Sequence, residues 1–540
     1  MQLQKTFRGL VNKEKEDWHL RLPQQTDGRA EPARLTIDLK VGEELAAYCW
    51  PGREFVLSRQ DAKLQVPRGY FFPLSFLTFV YQQTGYTILL QTDFRSIGLT
   101  KEGEGLRLSL EYGPEVQVIE LEICRHRPDW HVGLELYQEW QHQSIPRSQE
   151  NPLRGSFHIK RSFFHQELCQ RHAFEADGKC HLLEQWQEDN QLAGVDTLLL
   201  FDHSFLPKQE VRCGNADPLA GFTDIAGYKA QAKVLQKEGV HLFAYFDPYL
   251  LDSRSELAGK YGADLAIRDE SGSIVHNWRA EDWHPCLSDK SWNQESARYI
   301  RMAVEQLGSD GIYLDELGHG SQYHCCAGRH DHQDFNQTAV EHAYTEACLP
   351  ERTDCMAMSE FPLVDRMTGR FAAVLNDSAS ALDIYRFALP GVKCFRMVHC
   401  DYPLGNSPLA VNRAFFNGEG FWLDNDLRDP DWYPPDILRR IHAQYQALKK
   451  YVRYFEAENN QPLTAGSTES VLINRFGVVG DCIYTLLNIA DTEQEILLPL
   501  APDAIAVPVY LGNNRCRRQS NGCLLSLPPQ ETCALLVRKI

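Results

Sequence analysis

Between about residue 194 and about residue 458 short apolar runs alternate with amphipathic stretches, and this rhythm constrains the fold more than any other feature. VDTLLLFDHSF reads as a first strand and GVHLFAYFDPYLL as a second, with AGYKAQAKVLQKEG between them as a helix stopped by glycine. SWNQESARYIRMAVEQLG is an amphipathic helix leading into a further strand, DGIYLDE. A third strand is expected before or within HNWRAEDWHPCL. CMAMSEF, FAAVLND, DIYRFAL or VKCFRMVHC, and EGFWLDN supply the rest, and DILRRIHAQYQALKKYVRYF closes the unit. Alternation sustained over about 260 residues predicts an α/β fold whose parallel sheet closes as a (β/α)8 TIM barrel. An open doubly wound sheet is the runner-up, but no glycine-rich phosphate loop follows the first strand.

The flanks have a different texture. ARLTIDLKV, FLTFVYQQ, YTILLQTDF, LRLSLEY and VQVIELEIC carry β-formers separated by glycine-containing turns. They predict an N-terminal β-sandwich that, with the linking helix DWHVGLELYQEWQHQ, occupies residues 1–143. The barrel is expected over 144–458. SVLINRFG, DCIYTLLNIA, QEILLPL, AVPVYLG and CLLSLPPQETCALLVRKI then predict an antiparallel β domain over 459–540.

A formal charge of −18 argues against nucleic acid as a partner, since affinity for phosphates rests on Lys and Arg. No run of about 18 apolar residues occurs, so no membrane partner is expected. The N-terminus has no apolar leader pattern, and the 16 cysteines form no compact framework, which together suggest reduced thiols in a cytoplasm.

The chemistry is concentrated at SDGIYLDELG, residues 309–318. Strand alternation sets Gly311, Tyr313 and Asp315 on one face, and Ile312, Leu314 and Glu316 on the other. An acid at the exit of a buried barrel strand is where this architecture keeps its reactive groups. A second strand, CMAMSEF, delivers Glu360. Paired carboxylates suit glycosidic cleavage, in which one protonates the leaving oxygen and the other attacks or stabilises the anomeric carbon. Asp315, short and fixed, is expected as nucleophile, and the longer Glu360 as acid/base. Sugars present apolar C–H faces and hydroxyl rims. Accordingly Asp202, His203, Asp247, Trp283, Glu316, Arg396, His399 and Trp422 are expected to bind substrate. Asp202 and Asp247 could equally cap the segments that follow them.

The block WHPCLSDKSWNQESARYIRMAVEQLGSDGIYLDELG resembles bacterial glycoside-hydrolase-type (β/α)8 barrels of a domain-of-unknown-function family, over about residues 195–365. There a Cys-Pro or Pro-Cys segment precedes a helix and a DG-hydrophobic-YLD strand. The following loop, with Cys325 or Cys326 and then His330-Asp331-His332, is similar to that family's Cys…His-x-His insertion, although DHQDFNQ replaces a Gly- and Pro-rich continuation. More distantly, DGIYLD is similar to the fourth-strand nucleophile motif of retaining α-glycosidases. The resemblance implies a glycosidase fold with α-configured, retaining double displacement, and it leaves the sugar unnamed.

The loop from His319 to His332 is dense in histidine and cysteine, ligand types for Zn²⁺. Its spacing is not that of a standard finger. The expectation is a substrate-covering loop acting through His330 and His332, with no metal and no cofactor assigned. Two rivals stand beside the glycosidase: a metal-dependent hydrolase using this loop with Asp202, His203 and Asp247, and a non-catalytic carbohydrate-binding barrel. A homo-oligomer is left open.

Overall fold

Eight parallel strands close into a barrel in the computed structural model of the chain. The structure describes residues 2–10, 13–21, 33–39, 44–58, 63–102, 105–113, 116–145, 150–163, 179–201, 214, 224–277, 279–319, 325–330, 337–350, 355–378, 380–398, 408–424 and 426–539. The barrel strands are β1 (His158–Phe163), β2 (Thr197–Phe201), β3 (His241–Phe246), β4 (Gly311–Leu314), β5 (Met356–Ser359), β6 (Ala373–Asn376), β7 (Lys393–Met397) and β8 (Gly420–Leu423). β1 pairs with both β2 and β8, which removes every free edge. Alternate residues point inward, and Ile159, Leu199, Phe243, Tyr313, Met358 and Phe395 belong to one packed interior. Gly311 has no side chain because the Phe243 ring and the Met356 carbonyl fill the space a Cβ would need.

Two strand assignments differ from expectation. β1, HIKRSF, lies in a stretch the sequence pattern did not resolve, because His158, Lys160 and Arg161 hide a buried strand behind polar letters. HNWRAEDWHPCL holds no barrel strand. Its Asp282–Trp283 pairs antiparallel with Leu251–Asp252, inside the long connection from β3 to β4. The two errors offset one another, so DGIYLDE remains the fourth strand. Of the alternatives DIYRFAL and VKCFRMVHC, the first is a helix (Ile384–Ala388) and the second supplies β7.

The helices follow the amphipathic segments. α1 (Trp130–Ser144) starts at Asp129, whose side chain accepts from the His131 N–H. α2 (Leu182–Ala193) follows β1, and α3 (Ile225–Lys237) follows β2. α4 (Glu256–Tyr261) and α5 (Lys290–Glu305) lie between β3 and β4, and Asp289 caps α5 through the Ser291 and Trp292 N–H groups. α6 (Gln337–Cys348) precedes β5.

Before the barrel, a seven-stranded and a four-stranded antiparallel sheet enclose their own core, with Leu77, Ile88, Leu99 and Leu108 fully buried. After it, four- and three-stranded antiparallel sheets pack around Ile473, Leu486, Leu525 and Leu535. The N-terminal sheets are fastened to the barrel by buried charge. Arg68 lies 2.9 Å from Asp365, in the loop after β5, and Asp365 also accepts from Tyr137 at 2.8 Å. Among the described residues, no helix is long and apolar enough to cross a membrane.

Candidate active site

The inward parity of β4 runs through Tyr313 to Asp315, the first residue past the strand. Asp315 Oδ1 accepts from the Tyr313 hydroxyl at 2.7 Å, and Oδ2 from the Tyr245 hydroxyl at 2.7 Å. The two tyrosines are register partners on β4 and β3, so the barrel itself fixes the carboxylate. Below them Trp422 packs on Tyr313, with ring centroids 5.4 Å apart. Its indole donates to Asp424 at 2.7 Å, and Asp424 pairs with Arg161 at 2.8 Å.

After Asp315 the backbone leaves strand geometry abruptly. Glu316 has φ +56°, a left-handed conformation uncommon for a residue with a side chain. That turn aims the Glu316 N–H at Glu360 Oε2, 2.7 Å away. The Glu316 carboxylate itself accepts from Asn277 at 3.0 Å. Gly318, at φ +95°, turns the chain again, and its N–H donates to Glu341 of α6. Backbone in a sparsely populated region that persists because its neighbours over-determine it is common at reactive sites.

Glu360 follows the inward residues Met356 and Met358 of β5, and Asp247 follows Phe243 and Tyr245 of β3, so both reach the same mouth. Burial, then the charges of Asp315 and Glu316, push the Glu360 carboxyl well above its ordinary range. Burial, then Glu316 and Asp315, do the same to Asp247. Asp315 is raised by burial as well, but the two phenols, Arg161 and a hydrogen bond from Glu360 pull the other way. Carboxylates this close cannot all ionise, and the negative charge settles where the donors are. Asp315 is the acid of this group that accepts from two hydroxyls.

Sequence reasoning missed one acid. Asp377 follows β6 with inward parity after Ala373 and Leu375. Its carboxylate accepts from Tyr70 at 2.8 Å and pairs with Arg53 at 2.8 Å, both from turns of the N-terminal sheets. The Arg53 guanidinium lies 4.0 Å above the Tyr70 ring, and that ring meets Phe361 and His319 at 4.9 and 4.8 Å. The signal was available: FAAVLND is another strand ending in an acid.

Other expected site residues are distributed differently. Arg396 is not brought to the mouth. Its parity on β7 is outward, where it is buried against Glu419 at 2.6 Å and donates to the Ser378 carbonyl. His330 is likewise turned away, its ring between the Asp264 carbonyl and Cys325. Trp422 is 2% exposed and forms part of the floor under Tyr313 rather than an open platform. Trp283 is half-buried on the short antiparallel pair inside the connection from β3 to β4. Asp202, His203, His332 and His399 lie outside the described residues. Among the described residues, Cys286, Cys325 and His330 are the His, Cys and acidic side chains grouped closely enough to share a metal ion, with ligand atoms within 4.8 Å of one another.

No protein-family profile matches the chain. Among curated proteins, the probable inactive ribonuclease-like protein 13 of Rattus norvegicus is 33% identical over 66 residues, 12% of this chain and 41% of the relative. Its Mus musculus counterpart matches over the same extent. The chain thus spans less than half the length of these curated relatives. Solved structures match far more of it. The GH36 α-galactosidase AgaA of Geobacillus stearothermophilus superposes with a TM-score of 0.66 at 11% identity, covering 100% of this chain and 81% of that one. The α-N-acetylgalactosaminidase NagBb of Bifidobacterium bifidum gives 0.60 at 12% identity, covering 87% and 84%. The fold is that of these glycosidases. At such identity the likeness is one of architecture, with β sheets before and after the barrel.

Proposed function

We propose that this protein is a glycoside hydrolase acting on α-linked sugars by retaining double displacement, with Asp315 as nucleophile. The observation that carries the reading is the Asp315 carboxylate, held by two tyrosine hydroxyls at 2.7 Å at the exit of the fourth barrel strand. Two phenol donors and Arg161 favour the charged, attacking form, and the fixed orientation limits the geometry of attack.

The acid/base role goes to Asp377 in this proposal, rather than to Glu360. A retaining pair needs carboxyl groups about 5–5.5 Å apart, so that a sugar carbon and its leaving oxygen fit between them. Glu360 comes from the strand immediately next to β4, and its carboxyl acts directly on the ionisation of Asp315, which favours a place beside the nucleophile over one across the sugar from it. Asp377 comes from two strands away, about 10 Å at the backbone, with both side chains converging inward. Geometry is judged before protonation state. Glu360 then acts as a neutral neighbour whose proton steadies the nucleophile, and Asp247 and Glu316 face the sugar hydroxyls.

Substituted variants of AgaA were crystallised with raffinose and with stachyose. α-Galactosides and α-N-acetylgalactosaminides are therefore the first substrates to try. The test is turnover of aryl and natural α-glycosides by wild type, Asp315→Ala, Glu360→Gln and Asp377→Asn. Asp315→Ala is expected to be inactive. Asp377→Asn should keep activity on activated aryl leaving groups and regain it with azide. If Glu360→Gln carries that leaving-group signature instead, the acid/base role reverts to Glu360. Full turnover by Asp315→Ala sinks the glycosidase reading.

A further inference from the structure

The connection from β3 to β4 folds into a small irregular layer of its own. Isolated bridges join Ala266 to Pro285, Arg268 to Ile274, and His276 to Trp283. It has a separate apolar cluster of Ile267, Val275, Cys286, Cys325 and Ala327, so part of the loop after β4 packs into it. Cys286 ends the layer, and Cys325 and His330 come from that second loop. All three side chains are buried, with ligand atoms within 4.8 Å of one another.

The surroundings of the three are those of ligands. His330 Nε2 donates to the Asp264 carbonyl at 2.8 Å, which turns Nδ1 toward Cys325 Sγ, 3.2 Å away. A metal-bound imidazole nearly always anchors its other ring nitrogen in this manner. Cys325 Sγ also lies near the Cys286 thiol, within the 4.8 Å that spans all three ligand atoms. A tetrahedral ion with ordinary Zn–S and Zn–N bonds separates its ligands by about 3.5–3.8 Å, within reach of this grouping.

We propose that Cys286, Cys325 and His330 bind one thiophilic divalent cation of the Zn²⁺ type as a structural clasp. On binding, two protons leave: the Cys286 thiol proton and the one shared between Cys325 and His330. The charge of two thiolates then balances the ion, which suits a buried position. The three ligands leave the fourth tetrahedral position outside this set. A disulfide between the two cysteines would not need the oriented Nδ1. The clasp joins the loops after β3 and β4, and the first of these carries Asn277, the donor to Glu316. The ion would thereby hold the roof of the acid cluster without touching substrate.

The test uses the full chain, purified under reducing conditions, stripped with chelator and titrated with Co²⁺ and Zn²⁺. About one equivalent is expected to bind, with a thiolate-to-cobalt charge-transfer band in the near ultraviolet and a higher melting temperature. Cys286→Ser and Cys325→Ser should weaken binding at least about 100-fold, and His330→Ala about 10-fold or more. Cys326→Ser, altering the neighbouring thiol, should bind as wild type does. Circular dichroism at low temperature checks that each variant is folded. Absence of stoichiometric binding by the reduced wild type overturns the proposal, as does undiminished binding by both serine variants. A Cys286–Cys325 disulfide found by peptide mapping of protein prepared without reductant also overturns it.

Discussion

The two ends of the barrel bury charge in opposite ways. At the C-terminal mouth Asp247, Asp315, Glu316 and Glu360 crowd together, and burial with mutual repulsion raises Asp247 and Glu360 far above the ordinary carboxyl range. At the N-terminal end Lys393, the first residue of β7, lies 2.5 Å from Glu456 and 3.5 Å from the centre of the Phe157 ring. Burial alone would raise the Glu456 carboxyl, yet Lys393 and Arg386 hold it below its ordinary value. One end is frustrated and the other is matched. Uncompensated charge is costly to a fold, so its persistence in one place marks where chemistry is done. Matched charge marks where the fold is held.

This contrast can be broken most sharply at Asp315, the proposed nucleophile. Asp315→Asn should lower turnover by about 10⁴–10⁶-fold, while the melting temperature stays level or rises. The reciprocal result is expected at the other end. Glu456→Gln leaves Lys393 and Arg386 buried without their counter-charge and should destabilise by about 3–5 kcal/mol in urea unfolding. Turnover per folded molecule should be unchanged. If both variants lost activity alone, or stability alone, the distinction between the ends would not hold.

A subtler test lies within the mouth. Glu360 is raised in the folded chain above its ordinary value of 4.5. A carboxyl of this kind costs nothing below about pH 4.5 and becomes progressively destabilising as pH rises above it. Glu360→Gln should therefore gain about 0.5–2 kcal/mol at pH 7, with the gain fading as pH falls through 4.5. A gain that grew toward acid pH would contradict a protonated Glu360. The smallest effect is expected at Arg53, whose pair with Asp377 is partly solvated. Arg53→Ala should change stability by about 1 kcal/mol or less, with its activity loss confined to substrates with poor leaving groups.

Much of the site followed from strand parity alone. Alternation through Gly311, Tyr313 and Asp315 was readable because the strand is apolar on both faces and ends in a glycine-containing turn. The same rule failed at β1, where Lys160 and Arg161 are buried but read as surface, and only the closed ring gives a strand a reason to bury them. Arg396 was misdirected because the bounds of β7 set its parity, and a shift of one residue exchanges inside for outside. Asp377 itself is legible as another strand-end acid in FAAVLND, but its partners, Arg53 and Tyr70, stand more than three hundred residues away in the chain. Contacts of that kind are made by tertiary packing, and no local pattern encodes them.

Arg53 and Tyr70 bear on how such a protein can be rearranged. The sheets before the barrel are not a detachable appendage, since their turns grip Asp377, an acid at the barrel mouth. A barrel transplanted without them, or grafted onto a foreign N-terminal module, would keep Asp315 with its two tyrosines and lose the groups that hold Asp377. Exchanging either part alone is expected to separate Asp377 from the groups that hold it, which constrains how the two parts can be recombined.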